Sequence, residues 1–251
     1  IRDSFYSKFI NMKHRYLFLI IPLIFIGFTF SDKKFSDPNK DRLLIEIVKY
    51  VVEKGHYNKI EINDDVSEKI FSSFINQFDS QKRFFLKSDI KNFEKYKFKL
   101  DDQIKNYDLT FFNLVYETSK LRFEEIKKYY NEIIANPFDF NSKETLDLDF
   151  ESKDYSKNKN EVKQRWRKQL KFSTLDIALL KLGDSLDFID DRVYNESLAI
   201  VKKNTQDFFE FYADMDRDDW FSTYINSFLN QLDPHTFYFQ PDDKERFEIN
   251  I

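Results

Sequence analysis

Apolar residues recur every three or four positions along most of the chain, and this spacing predicts helices rather than strands. Polar capping residues, a glycine and a proline mark where the first four helices should begin and end. Helices are expected over residues 41–55, from a cap at Asn63-Asp64 to Phe78, from a cap at Ser88 to about Lys105, and from Asp108 to Asn136, just before Pro137.

The pattern changes after this fourth helix. Residues 146–150 alternate strictly between apolar and acidic side chains, which is typical of a short extended segment, and the polar stretch 152–160 predicts a mobile loop. Helical spacing resumes from Val162 to Leu182, and two or three further helices fill 187–232. The predicted fold is all-α, with seven or eight helices in one domain over 40–240 and a short extended segment near 137–155.

The start of the chain has the pattern of a targeting segment. The first methionine is Met12, so residues 1–11 are interpreted as upstream sequence or an incorrectly assigned start. A basic stretch and about 15 apolar residues follow, and residues 12–31 are therefore predicted to be a signal peptide. Because small residues suited to cleavage are scarce, an uncleaved anchor is the alternative, with residues 16–30 tethering the protein to a membrane.

Composition excludes several kinds of chemistry. The 251 residues include no Cys, three widely separated Gly and three widely separated His. Thiol nucleophiles, thiolate metal sites and glycine-rich phosphate loops are therefore excluded, and a histidine metal site is not expected. The formal charge of -4 provides no broad basic field for nucleic acid. No cofactor, metal or nucleic-acid partner is predicted.

Three local patterns suggest chemistry and are outweighed by simpler interpretations. Residues 214–218 resemble the start of a calcium loop, but its required Gly and Glu are replaced by Asp219 and Ile225, and helix capping is the preferred interpretation. The basic cluster over 163–171 around Trp166 is interpreted as a solvated helix face with Trp166 turned inward. Ser-x-x-Lys pairs occur at Ser31/Lys34, Ser88/Lys91 and Ser156/Lys159. They are rejected as nucleophile sites because nothing indicates that any of these lysines is desolvated.

One polar sequence stands directly after an apolar helix. Asp233-Pro234-His235-Thr236 predicts a stiff turn, because Pro234 fixes its own φ and the Asp233 and Thr236 side chains can bond nearby backbone groups. A single histidine without a nearby nucleophile or metal partner is weak evidence for catalysis. The four residues are therefore interpreted as a structural motif.

At this turn the chain resembles the N-terminal region of the tail-specific proteases, also called carboxy-terminal processing peptidases. The resemblance covers about residues 40–251. The segments that carry it are His56-Tyr57 with Asn63-Asp64, Phe78-Asp79 through Phe84-Phe85-Leu86 with Ser88-Asp89-Ile90, Arg165-Trp166-Arg167-Lys168 with Leu170, Leu232 through Tyr238, and Pro241-Asp242-Asp243 through Phe247.

The resemblance implies an exported bacterial serine protease, periplasmic or anchored in the inner membrane. In this family a helical domain precedes a PDZ domain, which captures protein C-termini, and a catalytic domain with a Ser-Lys dyad. Residues 241–251 would begin the linker to that PDZ domain, and no catalytic residue would lie in this fragment. The expected partners are protein substrates with apolar C-termini and an adaptor protein. The alternative function is a non-catalytic exported helical binding module, with the segment around 137–160 as its recognition patch.

Overall fold

Eight α-helices and one short 3-10 helix form the part of the chain that the computed structural model describes, residues 38–55, 61–183 and 188–240. This confirms the all-α fold class. In chain order the elements are α1 (Pro38–Gly55), α2 (Asp64–Asp79), α3 (Lys87–Phe93), the 3-10 helix (Glu94–Tyr96), α4 (Leu100–Lys105), α5 (Thr110–Ile134), α6 (Lys159–Leu182), α7 (Asp191–Asp214) and α8 (Arg217–Leu229).

The predicted targeting segment, the predicted linker over 241–251 and the His56-Tyr57 pair lie outside the described residues. Among the helices described, none combines the length and the apolar character that a membrane crossing requires.

Two aromatic clusters make up the core. The first joins α1 through α4, the beginning of α5 and the whole inner face of α8. Its centre is a set of fully buried phenylalanines around Tyr224, and Phe78 stacks on Trp220 with ring centroids 3.8 Å apart. Aromatic pairs of this kind add about 0.5–1.5 kcal/mol each beyond the burial of their area. The high phenylalanine content is therefore used to build an apolar core.

The second cluster lies between the later part of α5, α6 and α7. Trp166 of α6 packs nearly parallel to Phe209 of α7, and Phe123 of α5 meets Phe209 edge to face. Tyr212 contacts both clusters and donates its hydroxyl hydrogen to the Phe78 carbonyl oxygen at 3.0 Å. The two clusters are thereby joined into one continuous packed unit.

Most predicted helix ends are confirmed. The Asn63 side chain accepts the Val66 N–H and caps α2, as the sequence predicts. Gly183 ends α6 with a φ of +61°, a left-handed conformation that glycine adopts without strain. The stop before Pro137 is also confirmed, because α5 ends at Ile134.

The predicted third helix is wrong in two respects. The segment from 88 to 105 forms α3, a 3-10 turn and α4 instead of one helix. Its cap is also not Ser88, which is exposed, because α3 begins at Lys87 and the Asp89 side chain reaches back to accept the Leu86 N–H at 2.9 Å. A tertiary contact lies where α4 begins: the Ser67 hydroxyl oxygen of α2 accepts the Leu100 N–H at 2.7 Å.

The apolar spacing of α1 predicts a buried face at Leu44, Ile47, Val48, Val51 and Val52, and only part of that face meets the core. Val52 lies in the first core cluster, and Leu44 and Val48 pack against it. Ile45 is buried together with Asp41, whose carboxylate pairs with Arg217, whereas Ile47 and Val51 are about half exposed. Because α1 is apolar on two sides, its sequence periodicity cannot select the buried side. The packing of the other helices of the first core cluster against α1 determines which side is buried.

Candidate functional site

The Asp233–Thr236 motif forms a turn directly after α8. The Asp233 carbonyl oxygen accepts the Thr236 N–H at 3.1 Å, and its side-chain Oδ1 accepts the His235 N–H at 2.9 Å. Pro234 occupies the second position of this turn, where its fixed φ is favourable. His235 is exposed. The geometry therefore supports the predicted turn, and the structural role of the motif in the family stays a prediction.

The chain after the turn is tied back onto α8. The Asn226 side chain accepts the Tyr238 N–H at 2.7 Å and donates to the Tyr238 carbonyl oxygen at 3.0 Å. About two turns earlier on α8, Asp219 accepts a hydrogen bond from Gln240 at 3.1 Å. Sequence reasoning missed Asn226 and Gln240, although an amide within the apolar stripe of α8 is a usable signal. These bonds define the direction in which the chain leaves the helical region.

Asp79 organises the loop between α2 and α3. This carboxylate is almost fully buried and accepts three backbone N–H bonds, from Arg83 at 2.7 Å and from Phe84 and Phe85 at 2.9 Å each. Burial raises the pKa of Asp79 to about 6, although the three N–H bonds oppose that shift. Phe85 enters the first core cluster and Phe84 the second, so Asp79 positions residues in both.

A buried ion pair holds the next part of this loop. Arg122 of α5 meets Asp89 in a two-pronged contact, with Nε to Oδ2 at 2.7 Å and Nη2 to Oδ1 at 2.8 Å. The hydrogen bonds to Asp89 and to Glu125 raise the pKa of the Arg122 guanidinium. Asp89 thus links the start of α3 to α5, which is a structural role for a residue in the segment that carries the family resemblance.

The basic cluster of α6 binds the segment between α5 and α6 through hydrogen bonds and ion pairs. Arg165 donates to the backbone carbonyl oxygens of Lys82 and Asp154, while Arg167 and Lys171 converge on Glu144. These cations lower the pKa of Glu144 to about 2. The interpretation of this cluster as a solvated face is therefore wrong for these three side chains, because intramolecular oxygens satisfy them.

The segment between α5 and α6 contains no strand. Its one ladder contact in the described residues is a single parallel bridge between Leu86 and Ser156, in which the Lys87 N–H donates to the Ser156 carbonyl oxygen at 2.8 Å. Lys82 also donates to the carbonyl oxygens of Glu151 and Lys153, both at 2.7 Å. The stretch 152–160, predicted as a mobile loop, is thus anchored at several points.

A serine and a lysine do meet in the structure, but not at a pair that the sequence indicated. Lys171 Nζ donates to Ser142 Oγ at 2.6 Å, and the same amine contacts Glu144 at 3.1 Å. A lysine that acts as a base must be neutral, and the adjacent carboxylate favours its charged form. The geometry therefore indicates that this pair stabilises the fold and does not act as a nucleophile with its base.

The three rejected Ser-x-x-Lys pairs gain no support. Ser156 is buried and Lys159 is paired with Glu125, whereas Ser88 and Lys91 are both exposed. Ser31 and Lys34 lie outside the described residues.

The acidic stretch before α8 caps that helix. Asp216 accepts the N–H groups of Asp218 and Asp219, and Asp219 accepts the Asp216 N–H in return. This supports the capping interpretation over a calcium loop. Across the described ranges, no group of three or more acidic or histidine side chains is placed to hold a metal ion.

The described part is thus an all-helical domain whose turns and loops are fixed by buried polar contacts. Its sequence matches the family model of the tail-specific protease N-terminal domain over residues 47–242. The chain therefore belongs to the tail-specific protease family, which it matches through that domain.

Among curated proteins, the chain is similar to the tail-specific protease of Haemophilus influenzae, with 29% identity over 199 residues. That alignment covers 79% of this chain and 27% of the Haemophilus protein. The chain thus spans about a quarter of the length of the curated relative it matches.

Proposed function

We propose that this chain is the helical N-terminal region of an exported bacterial serine protease that cleaves proteins with apolar C-termini. The observation that carries the proposal is the family match over residues 47–242. The length of the Haemophilus relative supports a longer protein, in which a PDZ domain and a Ser-Lys dyad would follow. The export signal over residues 12–31 would place it in the periplasm or on the inner membrane.

In this proposal the helical region itself is non-catalytic. The contacts described above support that role, because Asp79, Asp89 and the basic cluster of α6 are all engaged in fixing loops. The region would carry the PDZ and protease domains and offer a surface to an adaptor protein. The bonds between Asn226 and Tyr238 would set the angle at which the chain enters the PDZ domain.

A matched pair of proteins tests the proposal: the 251-residue chain and the longer gene product that the proposal predicts. The substrate is a peptide ending in Leu-Ala-Ala with a free carboxylate, and the control peptide ends in Asp-Asp. We expect the longer product to cleave the first peptide faster and the 251-residue chain to cleave neither.

Two outcomes would overturn the proposal. Peptide cleavage by the purified 251-residue chain would show that the helical region carries catalytic groups. A longer product without peptidase activity, combined with partner binding by the 251-residue chain, would favour the non-catalytic binding module instead.

A further inference from the structure

Arg83 is held in one position at the junction of α6, α7 and the α2–α3 loop. Its N–H donates to Asp79 at 2.7 Å, and its carbonyl oxygen accepts the Trp166 indole N–H at 2.9 Å. The guanidinium carbon lies 4.7 Å from the centre of the Trp166 ring and 4.8 Å from that of Phe208. Two rings and two backbone bonds therefore preorganise this cation.

The Arg83 guanidinium differs from those of comparable arginines because it has no oxygen partner in the described part of the chain. Among the described arginines that are not exposed, the other four each donate to at least one carboxylate, amide or carbonyl oxygen: Arg122, Arg165, Arg167 and Arg217. Arg83 forms only ring contacts through its guanidinium, and the carboxylate of Asp79 is occupied by three backbone N–H groups. An arginine stays protonated when it is partly buried. Its charge is attracted to the nearby Asp79 carboxylate, but among the described residues no oxygen forms a direct hydrogen bond with the guanidinium.

This cation borders a cavity of about 330 Å³ between α6 and α7. The volume is at the lower end of the range for ligand pockets. Leu170 and Ile177 contribute apolar side chains to its lining, while Ser173 and Asn204 contribute polar groups. The cavity thus combines an apolar surface with groups that can hydrogen-bond to a ligand.

The opposite end of the cavity is acidic. Asp176 also lines it and lies ten residues after Trp166 on α6, which corresponds to about 15 Å along the helix axis. An extended polypeptide advances about 3.3 Å per residue, so four to five residues span that length. The acidic end disfavours a phosphate dianion and favours a ligand that carries both signs of charge.

We propose that this cavity binds an extended segment of a partner polypeptide, with an aspartate or glutamate side chain of the partner paired with Arg83. A lysine or arginine about four residues along the partner reaches Asp176, and apolar side chains between them cover Leu170 and Ile177. This site does not depend on the proposed peptidase function, and its failure would leave that function untouched.

The chain contains its own reporter for this test. It has two tryptophans. The indole N–H of Trp166 donates a hydrogen bond to the Arg83 carbonyl oxygen, whereas Trp220 lies in the first core cluster. The full chain is titrated with the peptide acetyl-Glu-Leu-Ser-Leu-Lys-amide while both indole N–H signals are followed by NMR. The reversed sequence is titrated as well, because the direction of the segment is open.

We expect the Trp166 signal to shift in a saturable manner and the Trp220 signal to stay in place. Replacing the peptide glutamate by glutamine should weaken binding at least about tenfold, because a charge-assisted pair is lost. Arg83→Gln should cause a similar loss, whereas Arg192→Gln, a change at an exposed arginine of α7, should cause none. Asp176→Asn should weaken binding several-fold without altering the preference for glutamate.

Several results would overturn the proposal. Equal shifts with the glutamate and glutamine peptides would remove the role of the carboxylate. If a glutamine peptide with a free C-terminus binds as tightly as the amidated glutamate peptide, the cavity recognises a C-terminal carboxylate instead of a carboxylate side chain. If Arg83→Gln loses the Trp220 signal and so fails to fold, Arg83→Lys replaces it, and unchanged affinity in that variant would refute the pairing with the guanidinium.

Discussion

The buried pair between Arg122 and Asp89 permits a quantitative test of how the loop before α3 is held. The change is Arg122→Met, which keeps the length of the side chain and removes its charge. The two side chains are only 10% and 9% exposed, and Asp89 would retain the Leu86 N–H as its remaining partner. Removing one member of a buried ion pair costs about 3–5 kcal/mol, because the other charge stays buried without compensation. This is a large fraction of the total stability of a typical domain.

The assay is urea unfolding at pH 7, followed by helical circular dichroism. The control is Arg192→Met, since Arg192 is mostly exposed and, among the residues that the structure describes, pairs only with Glu196 on the surface of α7. Such exposed pairs contribute about 0–1 kcal/mol. The double variant Arg122→Met with Asp89→Asn should recover part of the loss, because no unpaired charge remains buried.

The reasoning fails if Arg122→Met costs no more than Arg192→Met. It also fails if the effects of the two substitutions in the double variant are simply additive, because residues that interact directly should show coupling.

Four further predictions each concern one residue. The Asp79 carboxyl should titrate near pH 6 in carbon-13 NMR; because its folded pKa is raised, its contribution to stability is complete below its ordinary pKa and is lost as pH rises through 6. Glu144 should titrate near pH 2. A midpoint near 2 for Asp79 together with one near 6 for Glu144 would contradict both assignments. Asn226→Ala should accelerate hydrogen exchange at the Tyr238 amide, and unchanged protection would refute the tether. Asp216→Ala should lower the free energy of unfolding by about 1 kcal/mol in urea titrations through loss of the α8 cap, and no measurable loss would exclude capping by its side chain.

Local signals in the sequence predict the helices whose ends are fixed by neighbouring residues. The cap at Asn63 and the stop at Gly183 depend on backbone geometry within a few positions, and both are confirmed. The third predicted helix is interrupted, and the new helix α4 begins at a hydrogen bond to Ser67, more than thirty residues earlier in the chain. No local pattern contains that information.

The candidate site divides in the same way. Pro234 and Asp233 predict a turn from their own chemistry, and the structure forms one there. The partner that holds the following residues, Asn226, is twelve positions from Tyr238 and was not predicted. The spacing of Trp166 and Leu170 predicts which side of α6 faces inward, but it does not reveal the oxygens of Glu144 and Asp154 that the basic cluster contacts.

The sequence by itself determined the all-α class, the positions of most helices and the family resemblance, because periodicity, caps and short motifs are properties of neighbouring residues. Only the tertiary structure decided which side of α1 is buried and that Arg83 borders a cavity. Both depend on surfaces assembled from distant parts of the chain. Burial and charge compensation are set by what packs around a residue, and that is known only once the helices are assembled.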